Sequence, residues 1–154
     1  MIDSPEIVTV PAQTVAMIPL KVPSKDIMTI MGPGITEVHS VLAAQGITPA
    51  GAWLTHHHRV PTDTFDFEIC VPVTTAVEPA GRVIPGELRA ARIARTVYHG
   101  GYEGLGNGWG EFMKWLETQG LNTADDLWEI YQTGPESGPD SSNYRTILNK
   151  PLKD

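Results

Sequence analysis

The stretch Gly32-Pro33-Gly34-Ile35-Thr36-Glu37 returns 74 positions later as Gly106-Asn107-Gly108-Trp109-Gly110-Glu111. The likeness runs on from Leu42, Gln45 and Gly46 to Leu116, Gln119 and Gly120. The chain therefore reads as an internal duplication, and repeats have to be sought first because a missed one mis-assigns the whole fold. Its 154 residues fit one compact domain, 1–154, with copies at 1–76 and 84–154 and a linker at about 77–83. A ligand site is expected between the copies, where the two surfaces meet.

Working outward from the repeat, Trp109, Phe112, Met113, Trp115 and Leu116 recur with helical period and form one apolar stripe. Ile35, Val38, Val41 and Leu42 hold the matching offsets in the first copy. Each helix is expected to open with Gly-x-x-Glu, its glutamate accepting from the free backbone amides of the first turn. Each should stop at a glycine, Gly46 or Gly120, in a left-handed C-terminal cap. Strand-like runs flank them: Ile7 to Leu20, Ala50 to His58 and Thr64 to Val73, then Leu88 to His99, Asp126 to Thr133 and Tyr144 to Leu148. The predicted fold is α+β: duplicated strand-helix-strand-strand modules, antiparallel sheets with two helices and a central ligand cleft. Thr74 to Glu87, with Pro79, Gly81, Pro85 and Gly86, reads as the connector, and Gly134 to Ser142 as a mobile polar loop.

Composition narrows the function classes. A formal charge of -7, with neither a basic helix nor a Lys/Arg cluster, argues against direct nucleic-acid binding, which relies on cationic surface. Met1 to Glu6 lacks a basic segment followed by an apolar run, and no stretch is expected to reach the length of a membrane span. A soluble cytoplasmic protein is the expectation. The single cysteine, Cys70, leaves no internal disulfide framework and reads as a buried structural thiol.

In Asp126 to Thr133, strand alternation puts Trp128 and Ile130 on one face, expected to meet the helix-covered core. Leu127, Glu129, Tyr131 and Thr133 take the opposite face, expected to line the groove. Glu129 is the foremost candidate: a carboxylate among apolar and aromatic groups is costly to desolvate unless hydrogen-bond donors or a cation satisfy it. The residues alone leave open that it is an exposed strand residue paired with an arginine. The repeat offset lays Trp53, Thr55 and His57 over Leu127, Glu129 and Tyr131, so only one half carries the acid. One carboxylate suits binding a cation or a single proton transfer better than the paired carboxylates of glycosidases. For Trp53, ordinary core packing stays open beside pocket lining.

His56-His57-His58 leaves only His56 and His58 on a common face, and no other His or Cys completes a ligand spacing, so no metal is expected. Asp63, Asp66 and Glu68 read as loop and strand charges that offset the imidazoles. Tyr98-His99-Gly100-Gly101-Tyr102 marks the junction of a strand with the second helix. From there Tyr102 either aims into the groove or packs on the helix start. Gly106-x-Gly108 lacks the lysine of a phosphate loop.

His99-Gly100-Gly101-Tyr102, Leu105, Trp109, Trp115-Leu116, Glu129-Ile130-Tyr131, Pro135, Thr146-Ile147 and Pro151-Leu152 follow one another in an order that resembles the GyrI-like small-molecule-binding family. Val10-Pro11, Val15-Ala16, Gly46-Ile47-Thr48-Pro49, Asp66-Phe67-Glu68 and Pro72-Val73 extend the resemblance over the chain. It implies two modules around a central cleft, as in effector-binding domains of multidrug regulators, where a glutamate matching Glu129 favours lipophilic cations among aromatic rings. The likeness is to stand-alone members, some of which bind drugs, inhibit DNA gyrase or resemble hydrolases that open cyclopropane rings with an acid and a tyrosine. The expected ligand is a hydrophobic, often cationic small molecule held by Glu129, Tyr131, Trp53, Thr55, His57, Tyr102, Leu127 and Trp109. Glu129 and Tyr102 would be catalytic if the protein is an enzyme. Haem-binding relatives exist, but no axial ligand is well placed here and no cofactor is expected. A protein partner and a homodimer remain further candidates.

Overall fold

The computed structural model describes residues 2–134 and 138–153. Its strands are β1 (Glu6–Val10), β2 (Gln13–Pro23), β3 (Leu54–His57), β4 (Thr64–Pro72), β5 (Ile84–Leu88), β6 (Ala91–His99), β7 (Leu127–Thr133) and β8 (Arg145–Pro151). Helix α1 (Ile27–Ala44) separates β2 from β3, and α2 (Leu105–Thr118) separates β6 from β7. All pairings are antiparallel, in the order β1-β6-β8-β7-β3-β4-β2-β5, and the sheet curls into a half-barrel. The α+β class expected from the sequence is the class observed.

The register at the centre of the sheet carries the duplication. Thr55 lies opposite Glu129, its equivalent under the 74-residue offset, so this position faces its own copy. Leu54 pairs with Ile130 and His56 with Trp128, and adding 74 to one member while subtracting it from the other interchanges these two pairs. A pseudo-twofold axis therefore passes between Thr55 and Glu129. The edge strands are exchanged across it: β1 pairs with β6 of the second copy and β5 with β2 of the first.

Two strand expectations change here. Ile7 to Leu20 is not one strand but two, separated at Pro11 and Ala12, which lets β1 cross to the far edge. The connector Thr74 to Glu87 contains most of β5. An edge strand tolerates Pro85 because one side of it has no ladder to complete, and the Met17 side chain packs over Gly86, where a Cβ would sit 2.6 Å from its sulfur. The mobility expected of the Gly134 to Ser142 loop falls partly on residues 135–137, and Pro135 with it, outside the described residues.

Both helices end as the glycines imply. Gly46 and Gly120 have φ of 70° and 67°. The Ile47 and Leu121 amides bond back to the Leu42 and Leu116 carbonyls, and the Gly46 and Gly120 amides to those of Ala43 and Glu117, closing two like C-terminal caps. The helix starts differ from expectation. A 3-10 turn at Ser24–Asp26 leads into α1 at Ile27, and one at Tyr102–Gly104 leads into α2 at Leu105, so the Gly-x-Gly-x-x-Glu copies lie inside the helices. Their second glycines are contact points: a Cβ on Gly34 would lie 2.5 Å from Ile69 Cδ1, and one on Gly108 would lie 2.7 Å from the Tyr98 ring. Glu37 caps no helix and instead accepts from the Arg82 guanidinium at 2.7 Å.

Ser24–Ala44 is a 21-residue helical stretch of mean hydropathy 1.2, long and apolar enough by length and composition to cross a membrane, where no such stretch was expected. Its apolarity has two uses in the fold. Val38 and Leu42 pack against Ala16, Ile18, Phe67, Ile69 and Val71 of the sheet, while Ile27, Met31 and Ile35 also border the groove between the helices.

Helix α1 lies over β4 and β2, and α2 lies over β6. The middle strands β3 and β7 lie between the two helices, and the helix-side face of these strands becomes the floor of the groove. Trp128 is correspondingly not against a helix: with Ile130 it belongs to a second core with Val15, Leu54, Cys70, Leu88 and Ile93 inside the curl. Alternation assigned the faces of Leu127 to Tyr131 correctly. The exchanged correspondence, Trp128 inward and Glu129 on the helix side, follows from a curled sheet that buries both of its faces.

Candidate functional site

A cavity of about 790 Å³ opens between α1 and α2 above β3 and β7. All eight residues singled out in the sequence, Glu129, Tyr131, Trp53, Thr55, His57, Tyr102, Leu127 and Trp109, border it. Cross-strand pairing explains the convergence, since Thr55 faces Glu129, His57 faces Leu127, and the Tyr131 amide donates to the Trp53 carbonyl at 3.1 Å. Thr133, expected on the same face, pairs with Arg145 while Tyr131 pairs with Thr146, so a bulge between them turns Thr133 to the other face and it is not in the wall.

Sequence reasoning missed the wall contributed by α1, namely Ile27, Met28, Met31, Gly32 and Ile35, because it started that helix too late. The spacing of Ile27, Met31, Ile35, Val38 and Leu42 is itself helical and could have found it. It also missed Phe65 and Phe67, although alternation along β4 puts both on the face of their cross-strand neighbour His57. Gly32 and Gly106, equivalent in the repeat, border the cavity from opposite helices, and a Cβ on either would meet nothing within 4 Å.

Glu129 is 7% exposed, and both of its oxygens are held. Trp109 Nε1 donates to Oε2 at 2.6 Å and the Tyr131 hydroxyl to Oε1 at 2.5 Å. Burial, the largest influence, lifts its pKa above the ordinary carboxylate value, while donation from Tyr131, Trp109 and Thr55 pulls against that rise. Tyr131, 9% exposed, has its own pKa pushed well above 10.0 by burial and by the adjacent carboxylate, so it keeps its proton. The Thr55 hydroxyl lies 2.8 Å from the Tyr131 oxygen, and His57 Nε2 lies 3.0 Å from Thr55 Oγ1. Burial, with the nearby His56 and His58, lowers the His57 pKa to about 4, which makes it a neutral ring. Among the described lining residues none is Lys, Arg or Asp, so Glu129 is the charge of the cavity.

Aromatic rings surround that charge. Trp53 stacks on Tyr131 with centroids 4.1 Å apart, Tyr102 meets Tyr131 edge-on at 5.9 Å, and His57 stacks on Phe67 at 5.2 Å. Ring faces attract cations. Tyr102 is placed by the turn at Gly100, whose φ of 135° favours glycine, and by the Tyr98 hydroxyl, which donates to the Gly101 carbonyl at 2.7 Å.

His56 turns away from the cavity to a polar cluster. Its ring nitrogens lie 2.8 Å from Glu68 and 2.8 Å from Asp126, and Arg89 donates to both Asp126 oxygens at 2.6 and 3.0 Å. His58 lies 3.6 Å from Glu68. Asp66 accepts from Arg59 at 2.8 Å. Cys70 is fully buried, which holds its thiol protonated.

The model of the GyrI-like small molecule binding domain matches residues 3–153. The chain belongs to the GyrI-like family. The C-terminal domain of EcmrR superposes on this GyrI-like domain with a TM-score of 0.84 at 22% identity, covering 98% of each chain. EcmrR in its DNA complex gives 0.86 at 22% identity, covering 98% of this chain, which spans 57% of that longer one. A hydrolase from Listeria innocua gives 0.68 at 14% identity, over 97% of this chain and 91% of that one. SAV2435 bound to tetraphenylphosphonium gives 0.66 at 12% identity, over 98% of this chain and 94% of that one. At these identities the neighbours show the fold of the GyrI-like domain. No curated protein matches the chain significantly.

Proposed function

We propose that the cavity binds hydrophobic, often cationic small molecules, with Glu129 as the charge partner and Trp53, Tyr102, Tyr131 and Trp109 as aromatic walls. The observation that carries this reading is the lone buried carboxylate of an otherwise apolar cavity, both oxygens already oriented by Trp109 and Tyr131. Such a carboxylate has lost water and gained no positive side chain, so a cation among the rings supplies the missing partner. The lipophilic cation bound by SAV2435, a neighbour in fold, supports the same chemistry. Titration with tetraphenylphosphonium, followed by tryptophan fluorescence, should show affinity reduced at least about tenfold in Glu129→Gln with the fold retained. Equal affinities in the two proteins would reject the charge role.

A second reading is hydrolysis of strained-ring, cyclopropane-type electrophiles. It draws on the raised pKa of Glu129, which suits a general acid or base, on Tyr102 beside Tyr131, and on the hydrolase neighbour. Turnover would appear in mass spectra as product heavier by one water and would vanish in Glu129→Gln. Recovery of intact compound across a panel of such electrophiles leaves binding alone. Action on a partner regulator, as the DNA-bound EcmrR suggests for a longer protein, predicts stoichiometric recovery of a protein partner in a pull-down.

A further inference from the structure

The polar chain behind Glu129 ends on an unmatched atom. Tyrosine and threonine hydroxyls each donate once, and a neutral imidazole carries one N–H. With Glu129 ionised, the Tyr131 proton lies toward Oε1, and the Thr55 proton lies toward Tyr131 or Glu129. Thr55 Oγ1 is then an acceptor, so His57 must carry its proton on Nε2. That leaves Nδ1 as a bare lone pair on a residue 3% exposed, and it has no hydrogen-bond partner among the described residues. A buried acceptor without a donor costs free energy that a suitable ligand can recover.

The ring with this lone pair borders the cavity, and its Nε2 lies 4.0 Å from Glu129 Oε1. Phe67 covers one face of the imidazole, and half-buried Phe65 meets it edge-on at 5.6 Å. Phe65 is itself part of the cavity wall, and because Nδ1 is sealed from solvent, a ligand reaches it only with movement of a wall side chain. The charged or titratable groups close by are Glu129 on β7 and, on β3 and the residue after it, His56 and His58.

Building on the cation-binding reading, we propose that His57 Nδ1 is a second polar anchor that selects cations bearing an N–H group over quaternary cations of the same shape. The anchor is specific to one state of the relay. Replacing Glu129 by Gln offers Tyr131 a donor in place of an acceptor, because the amide oxygen must turn to Trp109, which can only donate. The relay then reverses: Tyr131 donates to Thr55, Thr55 to His57 Nε2, and the His57 proton moves to Nδ1.

The test uses a matched pair of ligands, a hydrophobic protonated tertiary amine and its N-methyl quaternary analogue, at the pH where wild-type affinity for the quaternary ion has reached its plateau. Wild-type protein should bind the tertiary ammonium about tenfold more tightly. His57→Phe, which can keep the stack on Phe67, should bind both ions with equal affinity. Nitrogen-15 NMR of the imidazole should show the Nε2–H tautomer in the free protein, a shift of Nδ1 on adding the tertiary ammonium, and the Nδ1–H tautomer in Glu129→Gln. A preference that survives His57→Phe, no preference in the wild type, or an Nδ1–H tautomer in the free wild type would each overturn the proposal. Loss of quaternary binding in Glu129→Gln reports separately on the cation reading, so the two can fail independently.

Discussion

Glu129 shows how a residue can be identified from its sequence neighbours while its chemistry is not. Alternation in Leu127-Trp128-Glu129-Ile130-Tyr131 separates it from Trp128 and groups it with Tyr131, but the Trp109 donor arrives from a helix 20 positions away and needs coordinates. Since a cation binds the ionised form and burial lifts the Glu129 pKa, affinity for a permanent cation should fall as pH drops through that raised value. In Glu129→Gln it should stay flat. Trp109→Phe removes one of the donors that oppose the lift, so the pH at which affinity falls should move upward in the same titration. The triple histidine was legible as three residues and not as three roles. Burial tends to lower the His56 pKa, but the hydrogen bonds of Asp126 and Glu68 together raise it to about 9. The sign follows: a pKa raised in the folded state stabilises fully below about pH 6.5, and that contribution is lost as pH rises through about 9. Urea unfolding should show a decline of up to about 3 kcal/mol across this window, and His56→Gln should remove the His56 share of it.

At the level of elements, the repeated glycines were visible and their purpose was mistaken. A Gly-Pro-Gly run suggests a break, which is why α1 seemed to begin near Gly34, yet the apolar spacing before it already continued the helix to Ile27. The glycines divide by what they face. Gly110 is exposed, helical and free of neighbours within 4 Å, so Gly110→Ala should gain about 1 kcal/mol, a rise of roughly 2–4 °C in calorimetry. Gly106→Ala should gain as much while adding a methyl group to the cavity wall, and so should weaken binding of a bulky cation that Gly110→Ala leaves unchanged. Gly108→Ala should instead lose about 1–3 kcal/mol, because its Cβ would enter the Tyr98 ring. The break in Ile7 to Leu20 was signalled by Pro11, but local sequence does not say which edge of the sheet a freed strand will join.

Over the whole molecule, the 74-residue offset sufficed to anticipate two halves meeting at a site, because residues related by a pseudo-twofold axis converge where it crosses the sheet. What it could not convey is the exchange of β1 and β5 between the halves, or the curl that buries Trp128 opposite the cavity. These are long-range consequences of closing an eight-stranded sheet. The axis also explains why one acid serves the cavity: position 129 and its copy, position 55, meet at a single spot, and there Glu129 supplies the charge while Thr55 supplies a hydroxyl. The most direct test is a crystal structure of the protein with tetraphenylphosphonium. The account predicts the cation between α1 and α2, within roughly 6 Å of the Trp53 or Tyr131 ring and beside the Glu129 carboxylate, with Trp109 and Tyr131 still donating to it. A cation bound outside this cavity, or inside it with Glu129 turned away, would contradict it.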